Sequence, residues 1–259
     1  MNDVEVTAAA AALAEAERTR TPIAPLTASY PGLDLAGAYT IQLRNIGRRL
    51  AASERVRGHK VGLTAVAMQE LFGVDEPDYG HLLDSMFYDA GARIELDRFI
   101  EAQVEVEPAF ILGRALKGPG VTADDVIAAT TAIVPALEII DSRIADWAIR
   151  LEDTVADNGS SAAVVMGATP VPVDAQALAD ADVELVLDGD VVERGNTREI
   201  LGHPATAVAW LANALSRFEI GFEAGHVVLP GTCTRSTRLR PGTVAGTIAG
   251  IGSVEAIVV

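Results

Sequence analysis

Glu105 and Glu107 stand two residues apart in the segment 103–112, Gln-Val-Glu-Val-Glu-Pro-Ala-Phe-Ile-Leu. The segment alternates and then turns apolar, which predicts a β-strand. Side chains on a strand alternate faces, so the two carboxylates point the same way. Val104, Val106, Phe110 and Ile111 predict that this strand is substantially buried. Two inward carboxylates about 5 Å apart repel by on the order of 3 kcal/mol at an effective dielectric of about 20, before desolvation is counted. A cation removes that penalty. Glu138 interrupts the apolar run Ala136-Leu137-Glu138-Ile139-Ile140 and is the natural third ligand, because a lone carboxylate there is costly to bury. Three carboxylates without a His or Cys partner suit a hard cation, Mg²⁺ or Mn²⁺. The competing reading is a solvated strand face at 105 and 107, with Glu138 paired to Arg143 or another base.

Lys60 lies in Gly58-His59-Lys60-Val61-Gly62-Leu63-Thr64, and Lys117 is the only other lysine. A lysine flanked by glycines and apolar residues can be partly desolvated, and then holds a carboxylate or exchanges a proton near neutral pH. Asp78, in Asp75-Glu76-Pro77-Asp78-Tyr79-Gly80, is either a proton carrier or a turn carboxylate bonding its own backbone. Asp157-Asn158-Gly159-Ser160-Ser161 gathers short polar side chains before the apolar run 162–166, and reads as a ligand-contacting loop or an Asx turn. Cys233 lacks the surroundings of a catalytic thiol and reads as structural. His59, His81, His203 and His226 show no metal spacing, and Gly113 to Gly120 matches neither a phosphate loop nor a dinucleotide fingerprint.

The elements that must position these groups can be read coarsely. The Ala- and Glu-rich first 20 residues predict a helix that stops at Thr21-Pro22. Asp34 caps a second helix with an apolar stripe Leu35, Tyr39, Leu43, Ile46, Leu50. From Val56 to Tyr88 the glycines and prolines predict loops around brief elements. Thr122 opens a helix reaching about Val134, followed by a strand over 136–142. A hairpin follows around Asp188-Gly189. Pro204 starts a helix with Val208, Leu211, Leu215 and Phe218 on one face. The tail predicts strands at 227–229, 244–248 and 254–259. Without a regular βαβ rhythm, a doubly wound parallel fold is not expected.

The 259 residues suffice for one large domain, and 49% hydrophobic with 22% charged residues is globular composition. A formal net charge of −16 repels phosphate backbones and anionic membranes, so neither nucleic acid nor membrane is an expected partner. The single cysteine, the acidic N-terminal segment and the lack of a long apolar run predict a cytoplasmic protein.

Taken in order, the motifs Gly58 to Thr64, Gly73 to Gly80, Val104-Glu105-Val106-Glu107, Glu138-Ile139-Ile140-Asp141-Ser142-Arg143 and Asp157 to Ser161 resemble the hydratase/decarboxylase branch of the fumarylacetoacetate hydrolase superfamily. The resemblance covers nearly the whole chain. It implies an α+β fold in which residues 1–259 form one domain. The core would be a rolled, mixed β-structure, with the helical segment 1–55 packed beside it. It implies Mg²⁺ or Mn²⁺ on Glu105, Glu107 and Glu138, and a homo-oligomer. The activity implied is hydration of a small 2-hydroxy-2,4-dienoate to a 4-hydroxy-2-ketoacid in aromatic or steroid-ring catabolism. Lys60 and Asp78 would handle proton transfer or carboxylate orientation, Ser160 and Leu82 would contact substrate, and a pathway aldolase is a candidate partner. The segment Val227 to Arg235 is similar to hydratases of steroid-ring catabolism. Two other readings stand beside this one. A decarboxylase of 2-oxo-3-hexenedioate would use Arg235 and Arg238 for the second carboxylate, and a non-catalytic chain would stabilise a pathway enzyme. Two residues depart from the usual pattern: Gly159, where alanine is usual, and Pro108, which suggests an edge strand or a bulge.

Overall fold

The computed structural model describes residues 1–64 and 77–259. The motif positions Gly73 to Glu76 lie outside them. Helix α1 (Asp3–Thr19) starts at a capping box, in which Asn2 and Glu5 satisfy each other's backbone N–H. Helix α2 (Leu35–Ala51) is capped by Asp34, which accepts from the Gly37 N–H. Its buried residues are Ala38, Ile41, Gln42 and Ile46, and Leu50 is 41% exposed. Of the expected stripe only Ile46 is buried, while Leu35, Tyr39 and Leu43 are half-buried, so the buried face is rotated toward Ala38, Ile41 and Gln42. Gln42 is buried because its amide donates to the carbonyls of Tyr79 and Val155, a gain that an apolar pattern does not register.

An eight-stranded sheet runs β2-β1-β10-β5-β6-β7-β3, with β11 also on β5, and a five-stranded sheet runs β4-β13-β12-β8-β9. The large sheet holds β1 (Val56–Gly62), β2 (Asp78–Leu83), β3 (Phe87–Asp89), β5 (Gln103–Leu112), β6 (Thr130–Ile140), β7 (Ser161–Met166), β10 (Val227–Leu229) and β11 (Thr237–Arg238). The small sheet holds β4 (Arg93–Ile94), β8 (Asp182–Leu187), β9 (Asp190–Asn196), β12 (Gly242–Ile248) and β13 (Gly252–Val258). Pairing is antiparallel except for β1–β10, β3–β7 and β4–β13. With the flanking helices this is the expected α+β, mixed-sheet class, and no helix among the described residues is long and apolar enough to cross a membrane.

The loop expectation for 56–88 is corrected for 56–62 and 78–83, while 65–76 lie outside the described residues. β1 and β2 are a regular antiparallel pair over most of their length. Glycines in β1 mark close strand approach rather than turns, since a Cβ at Gly58 would overlap the Val227 carbonyl. The helix from Thr122 ends at Ala129, and β6 begins at Thr130. Thr130, Thr131, Ile133 and Val134 are β-branched and fit a pleated, half-buried surface better than a helix. Pro108 sits in an interior strand, opposite Pro135. On the other side β5 is paired only near its ends, by β10 at Phe110–Ile111 and by β11 at Gln103–Val104, so Pro108 falls where that side has no ladder partner. The helix at Pro204 spans Pro204–Leu215, and Phe218 lies beyond it, 39% exposed.

The two sheets pack closely: a Cβ on Gly246 of β12 would reach 2.8 Å from Val106 and 3.2 Å from Leu137. Val104, Val106, Leu137 and Ile139 join Val183, Leu185, Val244, Val254 and Ala256 in one apolar core. Strand alternation then sends Glu105, Glu107 and Glu138 to the opposite face of the large sheet.

Candidate active site

On that opposite face, Glu105 of β5 is directly opposite Glu138 of β6, and Glu107 is two residues further along β5. One carboxylate oxygen from each lies within 4.8 Å of the others, the only such group of three among the described residues. Glu107 and Glu138 are fully buried. Burial, then the charge of Glu138, pushes the Glu105 carboxyl up to about 8. The same two causes, with Glu105 added, hold Glu107 well above the carboxylate range. Glu107 Oε1 and Glu138 Oε2 are buried without a hydrogen-bond partner. Such orphaned oxygens, in an all-carboxylate set with no imidazole or thiolate, fit a hard divalent cation.

Lys60 arrives from β1, also buried, with its Nζ 3.7 Å from Glu138 Oε1. Glu138 therefore faces Lys60, while Arg143 is engaged elsewhere. Burial alone would lower the Lys60 ammonium, but the carboxylates of Glu138, Asp78, Glu105 and Glu107 together outweigh it and raise it. Asp78 is opposite Gly62 in the β1–β2 register. A Cβ on Gly62 would overlap Asp78 Oδ1, so the glycine makes room for the carboxylate. Burial raises Asp78 against the pull of Lys60. The site thus pairs a cation with a buried carboxyl of raised proton affinity, beside three clustered carboxylates.

β10 runs parallel to β1 and leads into Pro230-Gly231. The Gly231 N–H donates to Glu107 Oε2 at 2.7 Å. Gly231 has φ +104°, and a Cβ there would overlap the Thr64 hydroxyl, so the close approach requires glycine. In the sequence this backbone donor leaves only the trace of a glycine after a proline at the end of an apolar run.

The polar loop 157–161 reaches the site from a third side. Ser161 Oγ is 3.4 Å from Glu138 Oε1, whereas the buried Ser160 hydroxyl sits 3.5 Å from that of Thr154. Ser161, rather than the expected Ser160, is thus the hydroxyl of this loop on the Glu138 side. Asp157 pairs with Arg143 rather than facing the site. Burial pushes Asp157 up to about 6, against the pull of Arg143. Leu82 shares the Asp78 face of β2 but lies deep in an apolar cluster with Ala136, Val164 and Leu229. Arg235 and Arg238 are exposed, and Arg238 pairs with Glu101 at 3.2 Å. Cys233 is buried, and its thiol is pushed up to about 12, chiefly by burial, which fits the structural reading. His59 is on the face of β1 opposite Lys60, with its ring 5.0 Å from that of His81 and 5.8 Å from that of His226.

Comparison with known proteins covers the same elements. The fumarylacetoacetate (FAA) hydrolase C-terminal family matches residues 58–259. A 2-keto-4-pentenoate hydratase of Burkholderia vietnamiensis is 43% identical over 98% of this chain and 98% of its own length. A 2-oxo-hept-4-ene-1,7-dioate hydratase of Escherichia coli is 38% identical over 89% and 88%. The solved 4-oxalocrotonate decarboxylase of Pseudomonas putida G7, complexed with magnesium and adipate, superposes with a TM-score of 0.96 at 31% identity, covering 100% of this chain and 99% of that one. With its three-carboxylate cluster, Lys60 and its polar loop all inside the matched region, the chain belongs to the fumarylacetoacetate hydrolase family.

Proposed function

We propose that the protein is a divalent-metal-dependent hydro-lyase that converts a small 2-hydroxy-2,4-dienoate, of the 2-keto-4-pentenoate type, into a 4-hydroxy-2-ketoacid. The observation that carries this reading is the group Glu105, Glu107 and Glu138, the last two fully buried, with Lys60 and Asp78 beside it. Glu105, Glu107 and Glu138 would hold one Mg²⁺ or Mn²⁺. Bound there, the ion supplies Lewis-acid stabilisation of negative charge on the substrate's carboxylate end.

The chain's own groups divide the remaining work. Lys60 Nζ, whose proton affinity the neighbouring acidic groups raise, attracts the anionic substrate and holds its carboxylate. Asp78 and Lys60 would move the proton that leaves the 2-hydroxyl and arrives at carbon five, giving a 2-oxo-3-enoate. Water then adds across the new double bond, with hydroxide to carbon four and a proton to carbon three. Ser160 and Leu82 are proposed substrate contacts, Leu82 as an apolar wall. The burial of Lys60 and Asp78 keeps bulk water from levelling their proton affinities.

Decarboxylation of a 2-oxo-3-hexenedioate is the alternative, through a solved relative at 31% identity. Hydration is favoured by the 43% identity to hydratases. It is also favoured because Arg235 and Arg238 are exposed, where solvation weakens their hold on a second carboxylate. The proposed setting is cytoplasmic catabolism of aromatic or steroid rings, by a homo-oligomer with a pathway aldolase as a partner. A non-catalytic role is disfavoured by the intact carboxylate group and Lys60. The test offers both substrates to the Mg²⁺-loaded protein, following dienol absorbance, carbon dioxide release and product mass. Carbon dioxide from the hexenedioate with no water added to the pentadienoate reverses the assignment.

A further inference from the structure

Asn158, Gly159 and Ser160 occupy the left-handed backbone region in succession, at φ 57°, 61° and 55°. Non-glycine residues enter this region singly and at a steric cost. A run of three persists only where its surroundings over-determine it. One side of the turn lies on the site. Gly159 packs against Lys60, where a Cβ would come to 2.6 Å from Cε, and the next hydroxyl but one, on Ser161, points at Glu138.

The other side of the turn is gripped by Arg143. Its Nε donates to Asp157 Oδ1 at 2.5 Å and its backbone N–H to Asp157 Oδ2 at 2.9 Å. Its Nη2 donates to the Asp157 carbonyl at 2.6 Å and its Nη1 to the Ser161 carbonyl at 3.3 Å. One guanidinium therefore spans the turn from its first residue to its last. Arg143 also stands five residues after Glu138, just past the end of β6. A further bond, from the Asp141 N–H to the Ser160 carbonyl at 2.8 Å, ties the turn to the same segment. Both partners of the ion pair are buried. Desolvation offsets much of the attraction in such a pair, so net stability is a poor explanation for it.

We propose that Arg143 and Asp157 are a positioning pair for the reaction: their ion pair clamps the left-handed turn and so fixes where Lys60 and Glu138 stand, without either partner touching substrate. The proposal rests on the reading of Lys60 and Glu138 given above. Such outer partners of a metal site typically carry about 10–100-fold in metal affinity or activity.

Arg143 borders a cavity of about 250 Å³, with Arg49, Asp141 and Ala162 also on its wall. Truncation at 143 therefore opens a hole that a free guanidinium ion can enter. Arg143→Ala, Asp157→Asn and Arg143→Lys are compared with the wild-type protein by Mn²⁺ titration with electron paramagnetic resonance, by steady-state kinetics and by circular dichroism. Arg143→Ala and Asp157→Asn are expected to keep the fold, bind Mn²⁺ about tenfold more weakly, and lose turnover by about a hundredfold with KM within about threefold. Arg143→Lys, which keeps the charge and loses the fork, should fall between. Millimolar guanidinium should restore turnover at least about tenfold in Arg143→Ala and not in Asp157→Asn, and tetramethylammonium should restore neither. If Arg143→Ala fails to fold, the near-isosteric Asp157→Asn decides by its Mn²⁺ affinity and turnover. Absence of Mn²⁺ binding by the wild-type protein sinks the site reading and this proposal together. Wild-type binding with unchanged affinity and turnover in Asp157→Asn, or losses in Arg143→Ala that guanidinium leaves untouched, overturns the positioning pair alone.

Discussion

Replacing Glu107 by Gln should act in opposite directions on the metal-free and metal-loaded protein. Glu107 is fully buried, with Glu105 and Glu138 oxygens within 4.8 Å. If it is ionised without a metal, each such contact costs about 3.5 kcal/mol at an effective dielectric of 20. If instead it is held protonated at pH 7, the cost follows from its ordinary value near 4.5 and comes to about 1.36 × 2.5, or roughly 3 kcal/mol. The chain adopts the cheaper state, so about 3 kcal/mol is the ceiling on what the carboxyl costs. Glutamine is nearly isosteric, carries no charge, and its oxygen can still accept from the Gly231 N–H. The metal-free variant should therefore be more stable than wild type by about 1–3 kcal/mol, a rise of several degrees in Tm for a chain of this size. With metal the order reverses. Wild type gains about 4.1 kcal/mol at a Mg²⁺ concentration a thousand times Kd, more than the variant's advantage without metal, and the variant gains almost nothing. Urea unfolding at pH 7, with chelator and with Mg²⁺, reads both arms. A metal-free variant less stable than wild type, or one that Mg²⁺ still stabilises fully, refutes the account of three carboxylates gathered for a cation.

Lys60→Ala should cut turnover by about a hundredfold or more while Mn²⁺ still binds; turnover and KM both within about threefold would reduce Lys60 to a bystander. Gly231→Ala forces a Cβ into Thr64 at φ +104°, so the donor to Glu107 must shift, and Mn²⁺ affinity should fall about tenfold or more; calorimetric titration showing wild-type affinity rules this out. Burial lowers His81 to about 4, so from pH 6.5 downward the unfolded chain takes up a proton that the folded one refuses, and stability falls with pH until about 4. Against His81→Gln, the wild-type protein should lose about 2 kcal/mol more between pH 7 and pH 5, and a difference that stays constant across that range contradicts the assignment.

Much of the candidate site is legible in the chain. Glu105 and Glu107 show as a period-two pair, Glu138 as a charge inside an apolar run, and Lys60 as a lysine among glycines. These readings work because strand alternation is local and burial of a charge is improbable without a reason. The helix caps at Asp34 and Thr122 are legible for the same reason: each is satisfied within a few residues. Other features are set by contacts between distant segments. Gln42 reads as polar surface, yet it is buried because it bonds carbonyls 37 and 113 residues away. The glycines of β1 read as loop punctuation, yet they admit Asp78 and the Val227 carbonyl. The Gly231 donor lies 124 residues from Glu107. The register of β5 on β6, which brings Glu105 opposite Glu138 across 33 residues, decides that three acidic side chains form one cluster. Local sequence thus determines which residues can do chemistry and which way they face, because backbone geometry repeats every two or four residues. Only the tertiary structure determines which of them meet, because that depends on strand register and close packing between segments whose spacing along the chain carries no period.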